Sequence, residues 1–168
     1  MKKIVGIAGW SGSGKTTLVE SLIKIFKYEY KLNVCILKHA HKNFRIDKEG
    51  KDSYKFSEAG ADQVIISSEN QWATINKIKG EEKSLEFLLK QSLNADVTLV
   101  EGWKFSNIKK IEIYRQEINK GFLYIEDSNI VAIALQNISI SLKKNIHKLD
   151  LNNHLDIAQF IIKNNFEI

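Results

Sequence analysis

The sequence predicts an α/β fold in which a mostly parallel central sheet is flanked by helices on both faces. Short apolar runs alternate with longer amphipathic stretches, a pattern typical of buried parallel strands joined by helices. The strongest runs are apolar at nearly every position, as expected of strands covered on both sides. The length of 168 residues suits one domain, and no repeat or flexible linker divides it. We therefore predict a single domain over residues 1–168.

The predicted strands are short apolar runs that end at turn residues or charges. The first run is closed by Gly9, and the run that begins at Val97 is closed by Glu101 and Gly102. In chain order the predicted strands are Lys3–Ala8, Val34–Leu37, Val64–Ser67, Trp72–Lys79, Val97–Val100, Ile111–Tyr114 and Ile130–Leu135.

Apolar residues three and four positions apart predict four helices. In the first helix these residues are Leu18, Leu22, Ile25 and Phe26, with lysines between them. The second helix ends at a glycine, which is a common helix terminator. The predicted helices are Thr16–Tyr30, Asp52–Ala59, Glu81–Leu93 and Leu155–Phe166.

Composition excludes several classes of function. The chain carries 25 basic and 20 acidic residues, a net charge of +5, and only Arg45 and Arg115 are arginines. Because base and backbone recognition favours arginine, we predict no nucleic-acid partner. No apolar run approaches the roughly 18 residues of a membrane span, so we predict no membrane association. A single cysteine, Cys35, excludes an internal disulfide, and we expect a cytoplasmic protein.

The strongest motif begins directly after the first predicted strand and opens the first predicted helix. It fits the phosphate-loop pattern G-x-x-x-x-G-K-[ST] at every fixed position and places the chain among the P-loop NTPases. Such a loop turns backbone N–H groups toward phosphate oxygens, a lysine reaches the β- and γ-phosphates, and a hydroxyl holds Mg²⁺. The predicted nucleotide-binding residues are Gly9, Ser11, Gly12, Ser13, Gly14, Lys15, Thr16 and Thr17.

A second motif, Asp96 to Gly102, ends an apolar strand with a carboxylate. A P-loop protein needs an acidic side chain at this edge of the sheet, for the metal ion or its waters. We predict Lys15 and Glu101 as the catalytic residues and Thr16, Glu101 and Asp47 as the metal-binding ones. No N-K-x-D element is present, so the pattern leaves the identity of the base open.

A third region follows the second predicted strand and contains Lys-His-Ala-His and Gly-Lys-Asp-Ser. Its position after a strand places it at the edge where open α/β sheets bind ligands. The two histidines indicate either a site or polar loop residues, and Asp52-Ser53 indicate either a site or a helix cap. The candidate residues here are His39, His41, Gly50, Lys51, Asp52 and Ser53.

Together, the three regions resemble the molybdopterin-guanine dinucleotide biosynthesis protein B (MobB) family. The pairing of Lys-His-x-His with Gly-Lys-Asp-Ser at this spacing is more specific than the phosphate loop. Lys42 stands where the family usually has another histidine, and Glu49 where it usually has proline. The resembling stretches are Gly12 to Leu18, Lys38 to His41 with Phe44 and Asp47, Gly50 to Ser53, Ala59 to Ala61, and Leu99 to Gly102.

The resemblance implies a GTP-binding homodimer that takes Mg²⁺ with GTP and has weak GTPase activity. It also implies an adaptor for a MobA-type guanylyltransferase, which attaches GMP to molybdopterin to make the dinucleotide cofactor. On this basis we assign the third region to the pterin-bearing substrate or to the partner enzyme.

Two other classes remain open from the sequence: a P-loop small-molecule kinase, and a regulatory or metallochaperone GTPase. Kinases of this type usually clamp the transferring phosphoryl group with several arginines. Neither Arg45 nor Arg115 lies in the phosphate loop or in the motif that ends at Gly102. We therefore expect slow intrinsic hydrolysis, on the order of 10⁻⁴ to 10⁻² per second.

Overall fold

A computed structural model describes residues 2–40, 44–92, 94–143 and 145–166. The chain divides into two compact units. The sheet unit contains residues 1–39 and 85–168, and the hairpin unit contains residues 40–84. The prediction of one domain over residues 1–168 stays a prediction. Within the described residues, no helix has both the length and the apolar character needed to cross a membrane.

The sheet unit is built on six parallel strands. The strands are β1 (Lys3–Ala8), β2 (Val34–Lys38), β5 (Val97–Glu101), β6 (Lys110–Tyr114), β7 (Ile130–Leu135) and β8 (His147–Asp150). Their order across the sheet is β2-β5-β1-β6-β7-β8, so β1 lies between β6 and β5, the strand that ends at Glu101. All neighbouring pairs run parallel. Their carboxyl ends therefore share one edge, where ligands of open α/β sheets bind.

One face of this sheet is covered by the two longest helices, α1 (Lys15–Lys24) and α4 (His154–Lys163). Leu18 and Leu22 of α1 and Ile157 of α4 are almost fully buried against it. The chain after α1 continues as a π-helical turn over Ile25–Glu29. The burial of these apolar side chains, together with those of the strands, forms the main core of the unit.

The opposite face is covered by shorter elements and contains buried charges. Leu89 of α3 (Leu85–Lys90) packs there with Ile4 and Val100, and a 3₁₀ turn, Leu123–Ile125, covers its other half. From β6, Lys110 and Glu112 point into this layer with 1% and 0% exposure. Lys110 Nζ donates to Asp127 Oδ2 at 2.9 Å and to the Ser106 carbonyl. A Cβ on Gly6 would lie 2.6 Å from Lys110 Cγ, so the lysine stem occupies the space above that glycine.

The hairpin unit holds the remaining elements. These are α2 (Asp52–Glu58) and the antiparallel strands β3 (Gln63–Ser67) and β4 (Trp72–Asn76), which pair with each other. Large apolar side chains are exposed on the hairpin, among them Ile65 at 64% and Trp72 at 73%. No residue of α2 is buried.

The structure confirms the predicted fold class, with a mostly parallel sheet and helices on both faces. The prediction of a helix over Glu81–Leu93 was wrong in length, because the helix is only Leu85–Lys90. It ends where the Ser92 hydroxyl donates to the Leu89 carbonyl at 2.7 Å, which closes a turn. Strand β8 was missed because only Leu149 among its four residues is buried.

Candidate phosphate-binding site

The loop between β1 and α1, Gly9 to Gly14, depends on three glycines for its backbone conformation. Gly9, Gly12 and Gly14 all have positive φ, at 152°, 80° and 92°. A Cβ on Gly9 would lie 2.8 Å from the Ile113 carbonyl oxygen, so both space and conformation require glycine there. Gly14 is the N-cap of α1, and the loop therefore delivers its N–H groups to a positive helix end. Thr16 and Thr17 follow as exposed residues of the first turn.

The Lys15 side chain lies across this loop. Its ammonium donates to the carbonyls of Gly9 at 3.0 Å and Trp10 at 2.8 Å, which leaves one of its three N–H donors for another acceptor. Burial lowers the pKa of the Lys15 ammonium below its ordinary value. The carboxylate of Glu101 opposes this shift, whereas nearby Lys38 and Lys104 add to it. An anion bound in the loop would oppose this lowering, because nearby negative charge favours the protonated form of the lysine.

Arg115 contacts the phosphate loop through a backbone carbonyl. The sequence analysis did not predict this contact. Arg115 Nε donates to the Ser13 carbonyl at 3.0 Å, and Nη1 donates to Gln136 Oε1 at 2.9 Å. Ser13 is buried, and its Oγ has no hydrogen-bond partner among the described residues. Arg115 follows β6 directly and is 102 residues from Ser13. No local pattern relates two positions so far apart.

Trp10 is held by contacts on both its edge and its face. Its indole N–H donates to the Gly121 carbonyl at 2.7 Å, and the Lys104 ammonium lies 3.7 Å from the centre of its ring. Glu112 fixes the segment after Gly121 by accepting N–H bonds from Leu123 at 2.7 Å and Tyr124 at 2.9 Å. Burial raises the pKa of the Glu112 carboxyl, and these two bonds act in the opposite direction. Glu112 therefore stabilises a segment that contacts the phosphate loop.

Glu101 lies at the carboxyl end of β5, beside β1. It is in register with Ile7, and its side chain is only 12% exposed. Lys38 Nζ lies 3.6 Å from Glu101 Oε2. The next residue, Gly102, has φ 102°, and a Cβ there would lie 2.7 Å from His39 Cβ. A glycine is thus required for the chain to pass His39, whose ring lies 5.1 Å from that of Trp103.

Thr16 and Glu101 suit a Mg²⁺ ion that is bound mainly by phosphate oxygens and water. Both are in the sheet unit, at the edge that holds the phosphate loop. Among the described residues, no group of three or more His, Cys, Asp or Glu side chains could hold a metal alone. Asp47 lies in the hairpin unit, where Oδ1 accepts from the Lys48 N–H at 2.9 Å and Oδ2 is buried without a described partner. Its role at the metal stays a prediction.

The segment Gly50 to Ser53 of the third sequence region lies in the hairpin unit, where Gly50, Lys51 and Asp52 are exposed and Ser53 is half-buried. Gly50 has φ 89° and open space around it, Lys51 is the N-cap of α2, and Asp52 and Ser53 begin the helix. Asp52 Oδ1 lies 3.5 Å from Lys55 Nζ, one turn along the helix. No side chain caps α2 at its N-terminus. His41 lies outside the described residues, and its role stays a prediction.

Comparison with known proteins decides the family. Residues 4–136 match the family model described as MobB, molybdopterin guanine dinucleotide synthesis protein B. The chain belongs to the MobB family. The resemblance drawn from the sequence motifs is therefore confirmed, and the match extends beyond the region that carries them.

Two relatives are named molybdopterin-guanine dinucleotide biosynthesis adapter protein. The protein from Haemophilus influenzae is 39% identical over 160 residues, which is 94% of this chain and 86% of the relative. The Escherichia coli protein is 32% identical over 167 residues, which is 97% of this chain and 93% of the relative. Both matches span nearly the whole chain.

Solved structures agree with this assignment. A crystal structure of molybdopterin-guanine biosynthesis protein B (mobB) superposes with a TM-score of 0.73 at 25% identity and covers 95% of this chain and 97% of that one. The Bacillus subtilis MobB structure gives a TM-score of 0.72 at 20% identity over 98% and 99% of the two chains. At that identity the second likeness shows the fold alone.

Proposed function

We propose that this protein is a GTP-binding adapter of molybdopterin-guanine dinucleotide biosynthesis. The observation that carries the proposal is a complete phosphate loop, with Lys15 across it and Glu101 beside it, in a chain of the MobB family. The proposal includes GTP with Mg²⁺, a guanylyltransferase of the MobA type as partner, a homodimer and a cytoplasmic location.

Each residue of the site has a defined task in this proposal. The N–H groups after Gly12 bind phosphate oxygens at the start of α1, and Lys15 neutralises the β- and γ-phosphates. Thr16 and Glu101 would hold Mg²⁺ through the hydroxyl and through the carboxylate or a bound water. The ion supplies charge neutralisation on the phosphates when bound. Arg115 keeps the Ser13 peptide in place through its carbonyl.

Hydrolysis by the protein alone is expected to be slow. Fast phosphoryl transfer needs a positive group on the transferring phosphate, commonly an arginine. Arg115 is close to the loop, but its guanidinium is bonded to the Ser13 carbonyl and to Gln136. A single-turnover assay with Mg²⁺ and GTP should give a rate on the order of 10⁻⁴ to 10⁻² per second. A rate above about 1 per second would instead favour the kinase or hydrolase class.

The hairpin unit supplies the surfaces for association. Ile65, Ile66 and Trp72 are exposed on a two-stranded sheet, and exposed strands with apolar side chains favour pairing with another chain. We assign this hairpin to the homodimer and the segment Gly50 to Ser53 to the guanylyltransferase. Sedimentation of the purified protein, compared with a Trp72→Lys variant, tests the first assignment: a monomeric wild type would contradict it.

Direct measurement of nucleotide binding tests the proposal that the protein binds GTP. Isothermal titration with Mg²⁺ should give a measurable affinity for GTP and a weaker one for ATP. An assay of dinucleotide formation by the guanylyltransferase, with and without this protein and GTP, then tests the adapter role. No GTP binding would contradict the proposal, and transfer of phosphate to a small acceptor would move the protein to the kinase class.

A further inference from the structure

A cleft of about 270 Å³ opens at the carboxyl ends of β6 and β7. Its lining residues belong to none of the motifs found in the sequence; they are Tyr114, Gln116, Glu117, Gln136, Asn137 and Ile140. All six lie in the sheet unit, on the edge of the sheet that carries the phosphate loop. This is the edge at which open α/β sheets take ligands.

Arg115 joins this cleft to the phosphate loop. Its guanidinium bonds the Ser13 carbonyl at one nitrogen and Gln136 Oε1 at another. The loop and the wall of the cleft are therefore separated by the width of one guanidinium group. In a nucleotide, one ribose separates the α-phosphate from the base. A nucleotide held by its phosphates in the loop is thus able to place its base in the neighbouring cleft.

The polar groups of the cleft have a defined pattern of donors and acceptors. Gln136 Oε1 accepts from Arg115, and Asn137 Oδ1 accepts from the Ser139 N–H at 3.0 Å. Because both partners are obligate donors, each bond fixes the amide with its NH₂ group left to donate elsewhere. Glu117 adds an exposed carboxylate, which accepts only. The cleft thus offers two amide donors and one acidic acceptor.

We propose that this cleft binds the guanine base of the nucleotide, an inference that rests on the proposed GTP binding. The amide groups of Gln136 and Asn137 donate to O6 and N7, and the carboxylate of Glu117 accepts from N1–H and the 2-amino group. Adenine presents a lone pair at N1, which a carboxylate repels, so this pattern favours guanine. The Tyr114 ring is fixed by Phe122, whose centroid is 4.1 Å away, and forms part of the wall.

The test compares GTP with inosine triphosphate, which differs only by lacking the 2-amino group. Isothermal titration should show that the wild type binds GTP about tenfold more tightly than the inosine nucleotide. Glu117→Ala should lose that preference, with GTP affinity falling to the level of the inosine nucleotide. The control is Glu29→Gln, which changes an exposed glutamate in the turn after α1, far from Glu117 in the sequence. This variant should keep the preference for GTP over the inosine nucleotide. Thermal melts check that each variant is folded.

A second variant tests the amide side. Asn137→Asp keeps an oxygen for the Ser139 N–H but replaces the NH₂ donor by an acceptor, so GTP affinity should fall at least about tenfold. The outcomes separate the two proposals. If the wild type binds no guanine nucleotide, the proposed function fails. If it binds GTP but Glu117→Ala keeps the preference over the inosine nucleotide, or the wild type shows none, the cleft is not the guanine site and the proposed function stands.

Discussion

Two Gly-Lys pairs in this chain are alike in sequence and differ in their surroundings. In each pair the glycine has a left-handed backbone: Gly14, at φ 92°, is the N-cap of α1, and Gly50, at φ 89°, precedes Lys51, the N-cap of α2. Lys15 donates to two carbonyls of its own loop, and the guanidinium of Arg115 lies 3.4 Å from where a Gly14 Cβ would be. Gly50 has open space around it, and Lys51 is exposed.

The helices that follow differ in the same way. The helix that begins at Lys15 has ten residues, three of them buried, whereas the helix after Lys51 has seven residues, none of them buried. Asp52, exposed at 82%, also places negative charge at the start of the second helix, where an anion would otherwise be favoured. We propose that of these two Gly-Lys pairs only the one fixed by packing binds an anion. We interpret Gly14-Lys15 as part of a phosphate-binding site and Gly50-Lys51 as part of a surface that binds a partner protein.

Removing each lysine in turn should show the largest difference between the two pairs. Lys15→Ala should weaken GTP binding by at least about 100-fold, because it removes a positive charge from a partly buried phosphate site. Lys51→Ala should leave the affinity unchanged. Isothermal titration of both variants, with thermal melts, measures the difference. Equal losses in the two variants would show that both lysines contact the nucleotide.

Glu101→Gln tests the metal side of the first pair. The substitution keeps the size of the side chain and removes its charge, so the Mg²⁺ concentration needed for half-maximal GTP binding should rise about tenfold. Glu86→Gln, which changes an exposed glutamate 3.3 Å from Lys90, is the matched control. An unaltered Mg²⁺ titration would assign Glu101 to the ion pair with Lys38 alone.

Asp52→Asn tests the second pair. If the segment contacts the guanylyltransferase, the stimulation of dinucleotide formation should fall several-fold while the GTP affinity stays the same. Glu58→Gln, at the far end of the same helix, should have no effect on either quantity. A parallel loss of GTP affinity and stimulation would move Asp52 into the nucleotide site.

A further prediction, which needs no loss of either lysine, is a pH dependence of GTP binding at the first pair. Burial lowers the pKa of free Lys15, and bound phosphate favours the protonated form, so the pKa of Lys15 rises on binding. GTP affinity should therefore be highest below the lowered pKa and fall as the pH rises above it, by at most about tenfold per unit. Lys15→Arg, whose guanidinium stays charged, should bind GTP with no such decline. Titrations from neutral to alkaline pH measure this.

Much of the fold was predictable because it depends on local pattern. The runs at Lys3–Ala8 and Ile130–Leu135 became strands with those bounds, since a buried parallel strand is apolar at nearly every position. The phosphate loop was predictable because its glycines are needed for its own backbone. The length of α3 depends instead on how many of its residues reach the core, and two leucines sustain only a short helix.

The rest of the site depends on contacts between distant residues. Arg115 and Gln136 are 21 positions apart, and each is ordinary in its own segment. Glu112 is recognisable in the sequence as a charged residue within an apolar run. Its hydrogen-bond partners are not, because the two N–H groups that donate to it lie on a later turn. A sequence pattern predicts an element or motif whose hydrogen bonds and packing are local. Residues that form hydrogen bonds with partners far away in the sequence produce no periodic pattern.

The contact between Gly6 and Lys110 has an evolutionary consequence. The lysine stem fills the space above the glycine, and its ammonium is tied to Asp127, so neither position is able to change alone at low cost. A lineage that gains a side chain at position 6 must first acquire a shorter one at position 110, and must then lose or replace the charge at Asp127. We therefore expect strong epistasis between the two sites: in a library that varies both, alanine at position 6 should be recovered with small residues at 110 and not with lysine. Recovery of Gly6→Ala in variants that retain Lys110 would contradict this expected epistasis.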